Sequence, residues 1–271
     1  MQSHQKLELL KGKLASMPSL ALAYSGGVDS TFLMAIAHEV LGDRLLAVIA
    51  ASSTLPQREQ EEAIKMAEGL GVNYLVIDIE PFDVPGYSEN PENRCYLCKS
   101  QLFSHILEIA RGSGIEIVAD GSNLDDLGDY RPGLIALQEL AISSPLIDAG
   151  MGKDEIRQLS REMGLPTWNK PAAACLASRF PFGQPIDREQ LARVERAENL
   201  LCDLGFKQVR VRIHNDLARI EVAPEERTKF INESLMDKIS DEIKRLGFRY
   251  VTLDLQGYRT GSLNPAAGPE A

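Results

Sequence analysis

The sequence predicts an α/β protein, a doubly wound parallel sheet followed by a small α+β domain. Three observations carry this. Apolar runs at residues 20–24, 44–51, 73–79 and 116–120 alternate with stretches of helical periodicity, the pattern of buried parallel strands and their crossovers. A glycine turn, Ser25-Gly26-Gly27-Val28-Asp29-Ser30, joins the first run to a helix. Beyond residue 186 the pattern changes to shorter alternating strands around a turn at His214-Asn215-Asp216.

Taken in order, residues 3–16 carry Leu7, Leu10 and Leu14 at helical spacing, and a helix is expected to dock on the first strand. A helix follows the glycine turn over residues 31–40. The second strand ends at Ser52-Ser53-Thr54, and ligands of open α/β sheets bind beyond the carboxyl ends of the strands. Ser53 is therefore a candidate nucleotide contact; an N-cap cluster is the alternative. A helix over 57–70 stops at Gly71 and a third strand follows. A punctuated loop with Pro81, Pro85, Gly86 and Pro91, of the kind that is functional or disordered, leads to Asn93-Arg94-Cys95-Tyr96-Leu97-Cys98-Lys99 and a helix over 100–111. The fourth strand runs into an acidic loop, Asp120 to Asp129. A short segment at Ser144-Pro145-Leu146 and a helix over 153–163 complete the first domain, bounded at 1–170. Residues 165–186 hold four prolines, which excludes a long helix. The second domain, 171–263, reads as a helix over 187–204, strands over 207–213 and 217–222, a helix over 224–246 and a strand over 248–255, with an antiparallel sheet. The tail 264–271 is expected to be disordered.

With 271 residues, 44% hydrophobic and 25% charged, the composition is that of a soluble globular protein. A net charge of −10 argues against non-specific nucleic-acid binding. No apolar run is long enough for a bilayer and no signal-peptide pattern opens the sequence, so a cytoplasmic protein without membrane contact is expected. Four cysteines in a reducing compartment point to metal binding or catalysis.

The glycine turn carries the first candidate site. Consecutive glycines let the backbone approach a ligand, and the helix start behind them favours an anion. Ser25, Gly26, Gly27 and Ser30 suit a polyphosphate, and Asp29 beside them implies a bridging magnesium ion. The acidic loop adds Gly121 as a nucleotide contact. Its Asp120, Asn123, Asp125, Asp126 and Asp129 are candidates for magnesium or ribose, of which Asp125 is taken as nucleotide-binding, and Arg131 for an anion.

Cys95 and Cys98 form a CxxC pair; Cys175 lies in a small-residue loop beside Arg179. A cysteine so placed is a candidate thiolate. If the three converge, they suit a [4Fe–4S] cluster with one open iron, or a zinc site completed by His105 or Cys202, or remain unassociated thiols. Cys202 reads as a small core hydrophobe of its helix. Arg210 and Arg212 share a strand face, and Arg259 lies among glycines and hydroxyls; arginines so placed suit a phosphate or carboxylate, the alternative being solvated surface.

These motifs resemble two nested groups. The Ser25–Ser30 loop is similar to the pyrophosphate loop, SGGxDS, of the ATP pyrophosphatases, which implies the adenine nucleotide alpha hydrolase-like fold and cleavage of ATP to AMP and pyrophosphate. Together with NRCYLCK at 93–99, DGSNLDDLGDYRPG at 120–133, KPAAACLASRFPFG at 170–183, RVRIHNDLARIEV at 210–222 and RYVTLDLQGYRTGS at 249–262, it resembles the LarE sulfurtransferases over nearly the whole chain. That resemblance implies adenylylation of a carboxylate of pyridinium biscarboxylic acid mononucleotide and its conversion to a thiocarboxylate during nickel-pincer nucleotide biosynthesis. It implies either that Cys175 gives up its own sulfur, or that Cys95, Cys98 and Cys175 hold a [4Fe–4S] cluster; three cysteines point to the cluster type. It places Arg179, Arg212, Arg259 and Glu198, or its neighbour Glu195, at the substrate. It further implies a homo-oligomer and a sulfur source, a donor protein or free sulfide. Rival readings are a tRNA thiolation enzyme, which the acidic balance weighs against, an amidating ATP pyrophosphatase, which leaves the cysteines without purpose, and a zinc-binding or nucleotide-sensing module without turnover.

Overall fold

The computed structural model describes residues 2–128, 132–171 and 174–259. Asp129, Arg131 and the 264–271 tail lie outside the described residues. The chain divides into two compact units, Met1–Tyr87 with Asn93–Ala173, and Ser88–Glu92 with Ala174–Ala271.

The first unit holds α1 (Ser3–Ala15), β1 (Leu20–Ala23), α2 (Val28–Leu41), β2 (Leu45–Ala51), α3 (Gln57–Gly69), β3 (Tyr74–Asp78), α4 (Arg94–Gly112), β4 (Ile117–Ala119), α5 (Pro132–Glu139), α6 (Pro145–Asp148) and α7 (Lys153–Glu162). The sheet is parallel with order β3-β2-β1-β4. A parallel bridge from Ala119 to Ser143 extends it beyond β4.

Strands β1 and β2 are largely buried on both faces, as their runs require, whereas the edge strand β3 leaves Leu75 and Val76 exposed. Leu20 and Leu22 of β1 join Phe32, Leu33 and Ile36 of α2 and Leu10 and Leu14 of α1 in one core. Ala21 points the other way, into a second core with Phe103 and Ile106 of α4 and Leu137 of α5. The order reverses at β1, between β2 and β4, which is where α/β sheets open a ligand crevice.

Two helices begin earlier than the sequence suggests. The first turn of α2 already includes Val28, Asp29 and Ser30, because Gly27 serves as its N-cap in extended geometry. Helix α4 starts at Arg94, so the CxxC pair sits within its first two turns and not in the preceding loop. Spacing of three places both sulfurs on neighbouring positions of one face. Helix α5, in a glycine- and proline-opened stretch, carries no strong apolar period, so no sequence pattern announces it.

The second unit holds α8 (Arg188–Asp203), β5 (Val209–His214), β6 (Leu217–Val222), α9 (Glu233–Arg245) and β7 (Tyr250–Leu253). Strands β5 and β6 form the expected hairpin, but β7 pairs parallel to β6, so the sheet is mixed and not antiparallel. The intervening helical segment is what turns the chain around. It is also not one helix: a 3-10 stretch, Pro224–Ile231, ends at Asn232, whose side chain accepts from Leu235 N and caps α9.

Cys202 is exposed, a correction to its reading as a core residue. The buried stripe of α8 is Leu191, Val194, Ala197, Glu198 and Leu201; one further residue turns the side chain about 100° away from that stripe. Residues 88–92 also pack in this unit. Asn90 is fully buried at φ 57°, and its amide donates to the carbonyls of Pro181 (2.7 Å) and Gln184 (3.1 Å).

Candidate active site

The glycine turn leaves β1 and enters α2 with little room to spare. Gly26 is at φ +71°, and a Cβ there would stand 2.8 Å from the Cβ of Ala63 on α3. Gly121, just beyond β4, faces it from the other side: a Cβ would lie 3.0 Å from the Ser30 backbone. Gly26 needs glycine for its positive φ and for the Ala63 methyl against it, and Gly121 because backbone packs there on backbone. Ser25 and Ser30 share a hydroxyl contact of 3.1 Å, and Ser30 donates to Gly27 O. Tyr24 and Thr31 hydroxyls lie 3.2 Å apart underneath.

Asp29 projects from the first turn of α2. Burial pushes its carboxyl above the ordinary value; Lys153 opposes the rise, Asp126 adds to it, and Asn123 and Arg157 oppose it. Lys153 Nζ stands 3.7 Å from Oδ2, while Oδ1 is buried with no hydrogen-bond partner. A hard divalent cation suits such an oxygen, so the residues fit magnesium.

Three lysines and an arginine that sequence reasoning did not single out surround this turn. Lys170 Nζ donates to Gly26 O (3.3 Å) and bridges to Glu59 (2.6 Å) and Glu62 (2.9 Å) on α3. Burial works against its charge, but the two carboxylates hold its pKa above the usual lysine value. Arg157 donates to the carbonyls of Trp168 and Lys170, fixing that segment. Lys99 lies 3.8 Å from Asp120, which also accepts from Ser122 and Ser144. Lys99 and Lys170 stand at the ends of the segments 93–99 and 170–183, but nothing local ties any of these cations to the turn: α4 carries Lys99, and α7 carries Lys153 and Arg157.

The other predicted nucleotide residues have plain positions. Asp125 accepts from Lys153 N at 2.6 Å, so its carboxylate caps the start of α7. Ser53 is exposed and donates to Glu80 at 3.0 Å. It lines a cavity of about 530 Å³ at the ends of β2 and β3, with Asp78, Glu80, Gln101 and His105.

In the second unit, Arg179 and Glu198 find each other. Arg179 Nε and Nη2 donate to the two Glu198 oxygens at 2.9 and 2.8 Å, a bidentate pair with Arg179 only 1% exposed. Burial works against the guanidinium charge, but Glu198 more than restores it, and Cys175 adds to that effect. Arg212 is also buried. Its Nε donates to Glu221 (3.0 Å), which accepts from Arg219 as well, and its Nη1 donates to Ser178 O (2.8 Å). Arg210 lies over the Tyr258 ring at 5.4 Å; burial and then Arg179 lower its pKa. Arg259 is exposed.

None of the four cysteines is in a disulfide. Cys95 is exposed and Cys98 half-buried in the first unit; Cys175, half-buried, belongs to the second. Among the described residues no group of three or more His, Cys, Asp or Glu side chains is placed to hold a metal ion. No helix among the described residues is long and apolar enough to cross a membrane.

Comparison with known proteins gives this geometry a family. The NAD synthase family profile matches residues 5–96, from α1 to the CxxC helix. An uncharacterized protein of Synechocystis sp. is 44% identical over 96% of this chain and 97% of its own length. GMP synthase (glutamine-hydrolyzing) of Chlamydia caviae is 27% identical over 73% of this chain but 42% of its own. Pyridinium-3,5-bisthiocarboxylic acid mononucleotide synthase of Lactiplantibacillus plantarum is 39% identical over 96% of this chain and 94% of its own. Such identity across both units, with a pyrophosphate-loop turn at the head of α2, shows that the chain belongs to the LarE family of PP-loop proteins, the family of that synthase.

Proposed function

We propose that this protein uses ATP to activate a carboxylate of pyridinium-3,5-biscarboxylic acid mononucleotide and replaces one of its oxygens with sulfur. The observation that carries the reading is the turn at Ser25–Ser30. Gly26 and Gly121 clear the space, the start of α2 offers free N–H groups, and a buried, unpartnered Asp29 oxygen sits beside them. The name of the relative from Lactiplantibacillus plantarum gives a bisthiocarboxylic acid mononucleotide as product, and the corresponding biscarboxylate is the substrate this reading infers from it.

In this reading the Ser25–Ser30 backbone and hydroxyls bind the phosphates of ATP. Asp29 holds magnesium, which when bound neutralises charge on those phosphates. The substrate carboxylate attacks the α-phosphorus, pyrophosphate leaves, and an acyl adenylate forms. A sulfur nucleophile then adds to the acyl carbon and AMP leaves. When Cys175 is that nucleophile, a thioester forms; loss of its α-proton breaks the Cβ–S bond and leaves the thiocarboxylate and dehydroalanine. Arg212, Arg210 and Arg259 supply positive charge for the substrate phosphate.

Cys175 is common to both sulfur routes. The cluster route adds Cys95 and Cys98 as further thiolate ligands and a donor protein or free sulfide to reload the cluster. Working as a homo-oligomer in the cytoplasm belongs to the same reading.

The test incubates protein with ATP, magnesium and the mononucleotide, following pyrophosphate release and the oxygen-to-sulfur mass change in the substrate. Pyrophosphate release without that substrate mass change refutes sulfur transfer; tight, salt-sensitive binding of total tRNA instead favours the tRNA-thiolating rival. Iron content after anaerobic reconstitution separates the sulfur routes: about four irons per chain, lost in Cys95→Ala, supports the cluster. Loss of hydrogen sulfide from Cys175 after one turnover supports the sacrificial route.

A further inference from the structure

The loop that presents Cys175 is held by arginine, not by a regular element. Residues Leu176–Arg179 form a 3-10 turn, and Cys175 is its N-cap with no side-chain capping bond. Arg179 closes the loop on itself. Its Nη1 donates to Ala174 O at 2.7 Å, to Cys175 O at 2.9 Å and to the Ser178 hydroxyl at 3.0 Å. The other edge of the same guanidinium grips Glu198. Glu198 is anchored in turn: it lies on the buried stripe of α8 and its Oε1 accepts from Val211 N of β5 at 2.8 Å. Arg212 adds a second guanidinium on the loop, at Ser178 O. Only a planar fork can serve a carboxylate on one edge and two carbonyls on the other.

We propose that Arg179 is a positioning residue: through the carbonyls of Ala174 and Cys175 it fixes the backbone that carries the Cys175 thiol, and Glu198 fixes Arg179. This replaces the substrate contact that the sequence suggested for both residues, and it rests on the reading of Cys175 as the sulfur-handling residue. The function is alignment. Sulfur must meet an acyl carbon whose place is set by ATP and the mononucleotide, and a displacement of about 1 Å at such a centre costs on the order of 100-fold in rate.

The test uses the full-length protein and Arg179→Lys, which keeps the charge and removes the fork. Hydrogen exchange of the 174–180 amides and the alkylation rate of Cys175 by iodoacetamide at one pH are read beside the single-turnover rate constant and its half-saturating mononucleotide concentration. Loss of two charge-assisted hydrogen bonds is expected to raise exchange and alkylation about tenfold or more. The single-turnover rate constant at saturation should fall on the order of 10- to 100-fold, with the half-saturating mononucleotide concentration little changed. Unchanged exchange and alkylation, or a raised half-saturating concentration with the single-turnover rate intact, overturns the proposal. If the lysine variant does not fold by circular dichroism, Glu198→Gln is read in the same way, and exchange in the loop should rise there too. The exchange and alkylation arms need no turnover. A wild-type protein that never thiolates the mononucleotide therefore refutes the functional reading, while those two arms still decide the positioning role.

Discussion

Replacing Gly26 by Ala tests the nucleotide turn most directly. Two separate costs arise. The residue sits at φ +71°, where an L-side chain costs about 1–2 kcal/mol. Its new Cβ would stand 2.8 Å from the Ala63 Cβ, a contact with a buried helix position and not with a flexible side-chain end. Overpacking of this kind costs about 1–3 kcal/mol, so Gly26→Ala should lose roughly 2–5 kcal/mol in all. Urea unfolding followed by circular dichroism measures it, and calorimetric titration with ATP and magnesium should show weakened binding. The parts can be separated. Adding Ala63→Gly removes the collision but keeps the φ cost and adds about 1 kcal/mol for glycine inside α3. The double-mutant cycle should then show a coupling of about 1–3 kcal/mol. Gly27→Ala is the control: φ is −78° and the nearest atom to its Cβ, Ser25 Oγ, is 3.5 Å away. It should cost less than about 1 kcal/mol of stability. A Gly26→Ala protein as stable as wild type, or a cycle without coupling, refutes the account of the turn.

Further outcomes follow from charge and burial. Burial holds the Asp29 carboxyl above its ordinary value, so the folded protein binds that proton more tightly than the unfolded chain and loses stability as pH rises from about 4 through the folded value. Asp29→Asn removes this loss: its Tm should equal or exceed that of wild type at neutral pH, with the gap closing below about pH 4, while magnesium-dependent ATP binding disappears. Glu221 is 1% exposed between Arg212 and Arg219, and Glu221→Gln should cost about 3–5 kcal/mol in urea by removing the buried carboxylate that offsets Arg212, while Arg219 keeps Asp254 at 3.6 Å; a change under 1 kcal/mol would sink that assignment. On α8, Leu201→Ala should cost about 2–5 kcal/mol and Cys202→Ala less than about 0.5 kcal/mol, compared by thermal melts; equal losses would contradict the register of the buried stripe.

The parallel sheet was legible because its strands are nearly continuous apolar runs, such as Leu45–Ala51, that only a two-sided burial explains. The turn at Ser25–Ser30 was legible because its chemistry is local. What sequence could not supply was everything set by distance along the chain. Lys153 and Lys170 reach the turn from more than a hundred residues away, and an isolated lysine carries no pattern. The parallel pairing of β7 depends on the path of the chain through α9, not on the strand's own alternation. Arg179 and Glu198 were picked out by type, but their mutual grip needs a coordinate, because a buried bidentate pair and a solvent-facing anion site use the same residues. Cys202 was misjudged by a single position, since neighbouring leucines hide where the apolar stripe of α8 runs.

The excursion at Ser88–Glu92 has a consequence for anyone who would cut this molecule. The polypeptide crosses between its two units three times, so the C-terminal unit is not one contiguous stretch. A fragment starting at Ala174 would lack the buried Asn90 amide and leave the Pro181 and Gln184 carbonyls, with Gly183 N–H and Ile186 N–H, without their partners. During synthesis those five residues leave the ribosome long before the helices and strands they serve. The unit can close only once a far later part of the message has been read, and a circularly permuted or truncated gene would have to carry that pentapeptide along.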